Sequence, residues 1–484
     1  MSKIDVLIEE LVYPPGAPDA LKTLRSLPYC FFLDSASSPR TLGRYSFLGC
    51  DPFLIFRSKR DLIELEWSGG KTETLRSNPF DVLRRLLKKY TVVGSDDRVP
   101  FVSGAVGYFA YDLKDFVEKL PDSACDDLDL PDCILGFYDT IVAYDNLTGR
   151  TYIVSSGLPE LGPAANDRRK KSRLGFFKER ISGSYCRKTE FAADTEPILE
   201  SNFSKASYIK AVEKAKRYIK KGDIYQVNLS QRFHAHAGID PLCLYSRLRQ
   251  VSPAPFSSFL GFREVSIAGS SPERFLLKRG RYIETRPIKG TRPRGSDTIE
   301  DSLLAQELAR SRKDRAEHIM IVDLERNDLG RICVYGSVRP ADSFVLEKYS
   351  NVFHLVSTVT GVLNNGVDAV DCLLATFPGG SITGAPKIRS MEIIEELEPV
   401  KRSVYTGAIG YISFDGNMDT SIVIRTFLIK GDDVYFQVGG GIVADSDPEK
   451  EYEETLDKAK GLMQALGVTN VPAAEPLSAM QEQI

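Results

Sequence analysis

The stretch Glu284-Thr-Arg-Pro-Ile-Lys-Gly-Thr-Arg-Pro-Arg-Gly295 sets one lysine, Lys289, among Arg286, Arg292 and Arg294. Its prolines and glycines rule out an ordinary helix or a regular central strand. A lysine crowded by permanent cations has its charged form disfavoured, so more of it is a free, nucleophilic amine near neutrality. The same cluster would attract a small, multiply charged anion; the competing reading is a solvated basic loop. Carboxylates with chemical potential lie nearby in sequence. Glu273 is presented by the strand-turn Ile267-Ala-Gly-Ser-Ser-Pro-Glu-Arg-Phe-Leu276. Glu317 sits in one helical pattern, and Glu451, Glu454 and Lys458 in another, where spacings of three and four stack them on one face. Acids from two helices could hold Mg²⁺ and leave positions for an anionic ligand and water. An exposed acidic first turn is the plainer alternative.

Three glycine-rich turns are candidates for anion binding. Pro378-Gly-Gly-Ser-Ile-Thr-Gly-Ala-Pro-Lys387 opens a helix, whose amides would attract carboxylate or phosphate, and it carries Thr383. Ala385-Pro386 stands where a nucleotide P-loop needs Lys-Ser/Thr, which disfavours a nucleotide site. The others are Tyr405-Thr-Gly-Ala-Ile-Gly410 and the run containing Gly439, Gly440 and Gly441; Arg425 could pair bidentately with a carboxylate. In the strand Asp223 to Phe233, Gln226, Asn228 and Ser230 share one face. His354 lies in an extended apolar setting, either as a satisfied buried histidine or as a hydrogen-bonding partner for a substrate.

The elements that must position these groups follow from pattern and composition. The chain of 484 residues is 42% hydrophobic and 27% charged, an ordinary globular balance, and exceeds one typical domain length. A net charge of −3 argues against nucleic-acid binding by the molecule as a whole. Its eight cysteines include no C-x-x-C pair, which suits a reducing cytoplasmic setting and excludes a zinc ribbon. Met1 to Glu10 carries acids within its apolar run, unlike a signal peptide, and no apolar stretch reaches the roughly 18 residues that suggest a membrane span. Residues 1–156 read as short strands and turns around a helix from Pro79 to Tyr90. Residues 157–200, with the basic run Arg168 to Arg173, read as an exposed linker. Residues 201–468 alternate strands and helices, including helices from Asp301 to Ser311 and Asp314 to Leu324, and 469–484 reads as a flexible tail.

Taken in order, Gly269-Ser-Ser-Pro-Glu-Arg-Phe275, Arg286-Pro-Ile-Lys-Gly-Thr291, Ala316-Glu-His318, Asp323-Leu-Glu-Arg-Asn-Asp328, Gly380-Ser-Ile-Thr-Gly-Ala-Pro-Lys387, Tyr405-Thr-Gly-Ala-Ile-Gly410 and Gly439-Gly-Gly-Ile-Val-Ala-Asp445 resemble the chorismate-utilising enzymes over about residues 200–465. The resemblance implies an α+β fold of two large antiparallel β-sheets packed together, with helices outside. Pro-Ile-Lys-Gly-Thr around Lys289, and Gln226-Val-Asn228, are similar to the aminodeoxychorismate synthase branch; anthranilate synthases usually carry Pro-Ile-Ala-Gly-Thr. That branch implies amination of chorismate to 4-amino-4-deoxychorismate, with ammonia from a separate glutamine amidotransferase. It implies Lys289 as nucleophile and Glu273 as general acid. Mg²⁺ would be held by Glu317 and Glu454, with Glu451 close by. Tyr405, Arg425, Lys458 and the amides of Gly439 to Gly441 would hold the second carboxylate, and Thr383 and His354 would line the pocket. Anthranilate synthase component I is the nearest enzymatic alternative, and a non-catalytic anion-binding module the other. Isochorismate-type chemistry fits less well, because Gln226 stands where those enzymes use a lysine. The resemblance also implies a tryptophan pocket around Ser35, Tyr45 and Ser46, where Asp34 departs from the Glu-Ser form of feedback-inhibited relatives.

Overall fold

A computed structural model describes residues 4–36, 42–93, 98–182, 196–349 and 352–468. Among these the backbone forms two twelve-stranded antiparallel sheets. The expected tail at 469–484 lies outside the described residues.

The sheets pack face to face over an apolar core. Phe47 from the first sheet meets Tyr411 from the second with ring centroids 5.6 Å apart, and Phe101 stacks on Tyr411 at 4.3 Å. A second core lies between the first sheet and its covering helices, where Leu21, Leu174, Phe177, Leu244, Leu462 and Leu466 are buried. Strands buried on both faces read as unbroken apolar runs, as in Cys133–Tyr138 and Thr140–Asp145.

The organisation is closer than the linear order suggests. Residues 1–156 and 201–468 contribute strands to the same two sheets. Cys30–Asp34 pairs with Phe256–Gly261 in the first sheet, and Gly104–Phe109 pairs with Ala408–Ser413 in the second, so backbone ladders run across the expected boundary. The linker 157–200 contains the helix Pro163–Ser182. Its basic run is structural: Arg169 and Arg173 pair with buried Asp139 at 2.8 and 3.2 Å, and Lys170 with Asp5 at 2.5 Å. Leu174, Phe177 and Ile181 turn inward one helical turn apart. The helices expected near 301–324 are longer, Thr298–Arg310 and Arg312–Gly330, each N-capped by a side-chain oxygen, from Asp297 and Ser311.

The site is built where the two sheets and two helices converge. Gln226–His236 pairs with Asp433–Ile442 in the first sheet, and Ile288–Pro293 pairs with Val352–Val362 in the second. Helices Arg312–Gly330 and Pro448–Leu466 bring in the acids. The latter starts from Asp447, which caps the Lys450 amide, with proline in its first turn; it stops at Gly467 in the left-handed region, φ +86°.

Candidate active site

Lys289 faces inward from Ile288–Pro293. The strand is bulged between Lys289 and Thr291, and Gly290 takes φ +79°, which an L side chain rarely adopts. The bulge lets the lysine turn to the pocket while its arginine neighbours turn elsewhere. A methyl group added at Gly441 would lie 2.9 Å from Lys289 Nζ and 2.5 Å from Gln226 Nε2, so the glycine leaves the space in which these two groups meet. One at Gly440 would lie 3.3 Å from Glu451 Oε2, 3.6 Å from Glu454 Oε1 and 3.8 Å from Lys458 Nζ. Gly439 is held by Lys458, whose Nζ donates to its carbonyl at 2.8 Å while pairing with Glu454, also at 2.8 Å.

The cause inferred above for the lysine's acidity is overturned. Arg286 pairs with Glu347 at 2.5 Å, Arg292 with Glu307 and Asp314 at 2.8 and 3.1 Å, and Arg294 with Asp301 at 2.5 Å. Each guanidinium is neutralised in its own pair, so the three form no free anion site. Lys289 is pushed below the ordinary lysine range chiefly by burial, aided by the Lys458 cation and opposed by Glu317, Glu273 and Glu454.

Glu273 is buried and accepts a hydrogen bond from Ser381 Oγ at 2.6 Å. Burial raises its carboxyl to about 7, against the hydrogen bond from Ser381 and the charges of Lys289 and Arg425. It therefore holds a proton near neutrality, as a general acid must. Arg425 adopts φ +51°. Its Nη2 donates to His354 Nε2 at 3.2 Å, and among the described residues no carboxylate lies within ion-pair distance of it. Burial pulls its pKa below the ordinary arginine value, because a recessed guanidinium without a counter-ion is poorly solvated. His354, buried, is held well below its usual range by the same burial and by Arg425, so it is neutral; its Nδ1 faces Thr291 Oγ1 at 3.0 Å.

Gln226 is fully buried, yet neither its Oε1 nor its Nε2 has a partner among the described residues, and Asn228 Oδ1 is also unpaired. Orphaned amide groups are rare in folded interiors. Here Gln226 lies next to the neutral-leaning amine of Lys289, across the space that Gly441 leaves open, so this polar lining is complementary to a polar ligand. Thr383 is beside Asn228, but its hydroxyl donates to the Gly379 carbonyl at 2.9 Å, and its own carbonyl takes the Asn228 amide at 2.8 Å. The Lys387 end of that glycine-rich turn is not open to anions: Lys387 pairs with Asp328 at 2.5 Å and donates to the carbonyls of Thr376 and Pro378.

The acids form two groups of different character. Burial raises Glu317 and Glu451, and each feels the negative charge of Glu454. Glu454 is lowered, first by Lys458. Among the described residues no three His, Cys, Asp or Glu are arranged to hold a metal unaided. Glu317 and Glu451 each lie in the field of Glu454, and carboxylates so grouped would suit a hard cation that draws its other oxygens from substrate and water.

Sequence reasoning passed over several residues. Ser381 lies within the Gly380–Lys387 motif, but only the fold shows that its hydroxyl donates to Glu273. His318 is buried and bonded through Nε2 to Ser357 Oγ at 2.6 Å; burial and the nearby Lys289 lower it to about 4. Arg402 and Glu398, beneath Tyr405, belong to none of the motifs, and a charged pair four residues apart gives no sign of burial.

The fold brings these buried polar and charged groups together, and comparison with known proteins gives the class. The family described as chorismate binding enzyme matches residues 36–464. Anthranilate synthase component 1 of Aquifex aeolicus is 42% identical over 455 residues, covering 93% of this chain and 91% of that protein. Aminodeoxychorismate synthase component 1 of Bacillus subtilis is 37% identical over 445 residues, covering 92% and 93%. The crystal structure of anthranilate synthase component I from Streptococcus pneumoniae TIGR4 superposes with a TM-score of 0.75 at 31% identity, covering 88% of this chain and 93% of that one. The chain belongs to the chorismate-binding enzyme family, and acts on chorismate as an enzyme of the anthranilate synthase and aminodeoxychorismate synthase type. Among its described residues, no helix is long and apolar enough to cross a membrane.

Proposed function

We propose that this protein is the chorismate-aminating component of an aminodeoxychorismate synthase, working with ammonia supplied by a glutamine amidotransferase subunit in the cytoplasm. The observation that carries this reading is Lys289: a recessed amine beside Gln226 and Gly441, in the field of Glu273 and Glu317. An alanine there, as in the anthranilate synthases of the resemblance, would offer no nucleophile.

In the proposed chemistry, neutral Lys289 Nζ attacks C2 of chorismate. The ring double bonds shift, the C4–O bond breaks, and Glu273 gives its proton to the departing hydroxyl, which leaves as water. Ammonia then attacks C4, the double bonds shift back, the C2–N bond breaks to return the neutral lysine, and the new C4 ammonium gives a proton back to Glu273. The sum is chorismate and ammonia to aminodeoxychorismate and water. Arg425 and Lys458 would neutralise one substrate carboxylate, with Tyr405 and the Gly439 to Gly441 edge shaping its seat. His354, neutral, would orient Arg425. Glu317 and Glu454, with Glu451 beside them, would hold Mg²⁺, which when bound supplies positive charge for the ring carboxylate.

Anthranilate synthase activity is the second reading, favoured by the names of the more similar relatives. Incubation with chorismate, ammonium and Mg²⁺, with and without aminodeoxychorismate lyase, separates the two. The first reading expects 4-aminobenzoate only when lyase is added, and a lysine-bound adduct in intact-protein mass spectra. Fluorescent anthranilate in the absence of lyase would overturn it.

A further inference from the structure

A fully buried ion pair lies beneath the pocket, and its energetics call for an explanation. Removing two charges from water costs several kcal/mol per ion, and apolar replacements for such pairs are often as stable or more so. Yet Arg402 and Glu398 are 2% and 3% exposed. The guanidinium makes five hydrogen bonds. Nε and Nη2 donate to Glu398 Oε2 and Oε1 at 2.8 and 2.7 Å, Nη2 also donates to the Asn228 carbonyl at 2.9 Å, and Nη1 donates to the Ile382 carbonyl at 2.9 Å and Thr406 Oγ1 at 3.3 Å. Glu398 Oε1 further accepts from Ser230 N and Oγ at 2.8 and 2.7 Å.

The far ends of these bonds belong to three segments, around residues 228, 382 and 406, each carrying one residue of the pocket; the last lies only four residues beyond Arg402 itself. Asn228 is on Gln226–His236, Ile382 precedes Thr383, and Thr406 follows Tyr405, whose ring lies 5.8 Å from the guanidinium carbon. The third segment needs a tether: Ser403 and Thr406 stand at φ +50° and +60°, costly for residues with a side chain. Only a planar fork with five donors can reach all three at once; an ammonium has three donors and no fixed plane.

We infer that Arg402, locked by Glu398, is a positioning residue that sets Asn228, Thr383 and Tyr405 around chorismate, and that the pair serves substrate binding rather than fold stability. This rests on the reading of those residues as the chorismate pocket. The test compares the wild type with Arg402→Lys and with the double variant Arg402→Met/Glu398→Gln, measuring Tm, KM for chorismate and kcat with ammonium as nitrogen donor. The double variant is expected to melt no lower than the wild type. In both variants KM is expected to rise roughly tenfold or more, with a smaller change in kcat. A purely structural role would instead lower kcat in proportion to the unfolded fraction and leave KM unchanged, and that result overturns the inference. So does failure of Arg402→Lys to fold, because the residue would then be needed for the fold itself. A wild type that consumes no chorismate would remove the functional reading and this inference together, whereas an active wild type with unmoved KM in the variants removes only the inference.

Discussion

Two polar clusters lie in the first sheet and its surroundings, one around Asp34 and the other around Gln226. In the first, buried Asp34 accepts from Arg249 Nε at 2.5 Å, Tyr245 OH at 2.8 Å and Ser46 Oγ at 3.3 Å. Ser46 Oγ also takes the Ser35 amide at 3.1 Å and the Asn146 side chain at 3.1 Å, and Ser35 Oγ donates to the carbonyls of Tyr45 and Pro255. The hydrogen bonds of this cluster close among its own residues. In the second, Gln226 and Asn228 are buried with atoms unpaired among the described residues, and none of these offers Arg425 a carboxylate. Asp34 and Gln226 are both buried at the centre of their clusters, but satisfaction differs: one cluster is assembled to hold the fold, the other to meet something outside the chain.

That contrast can be broken at either end. Lys289→Ala should give the largest effect, loss of aminodeoxychorismate below detection in the lyase-coupled assay with Tm retained; full turnover would remove the nucleophile. Glu273→Gln should lower kcat by about 10²–10⁴, the usual range for a general acid. It should also stabilise the fold. Because burial raises Glu273 from 4.5 to about 7, the wild type loses stability as pH climbs through that window. The variant's advantage should therefore grow from pH about 4.5 to 7 and level off near 3 kcal/mol at most, by linkage. Urea titrations along a pH series would show it, and a flat difference would contradict it. In wild-type kinetics the limb at higher pH should reflect loss of the same proton.

Asp34→Ala addresses the closed cluster. Arg249, about a third exposed, can turn to water, but the buried Tyr245 hydroxyl loses its acceptor, so the change should cost roughly 1–3 kcal/mol, with kcat per folded molecule unchanged. A fall in kcat without loss of stability would mean that this cluster, too, serves the reaction. The smallest expected effect is that of tryptophan. With the Ser35 and Ser46 hydroxyls already engaged, and Asp34 in place of a glutamate, we propose that the amino acid does not inhibit; calorimetry coupled to an assay would detect no tight inhibitory binding, and finding it would overturn this.

Much of the architecture could be read from pattern. Alternating apolar runs marked the strands, and the spacing of Glu451, Glu454 and Lys458 placed them on one helical face, because helical periodicity is local. The same locality misled elsewhere. A basic run from Arg168 to Arg173 looks solvated in sequence, yet Arg173 reaches Asp139 and Asp51 across the fold. Arg286, Arg292 and Arg294 looked like the agents of the lysine's acidity, yet each is claimed by a carboxylate from another segment.

By itself the sequence determined the chemical inventory: an amine on a glycine- and proline-punctuated strand, an acid on a turn, carboxylates in helical register and glycines for close approach. Those follow from residue type and short-range geometry. Only the tertiary structure decided which charges neutralise one another, that the lysine owes its acidity to burial rather than to its neighbours in sequence, and that a guanidinium outside every motif ties three pocket segments together. Solvation and pairing depend on which residues meet in space, and a linear pattern does not encode those meetings.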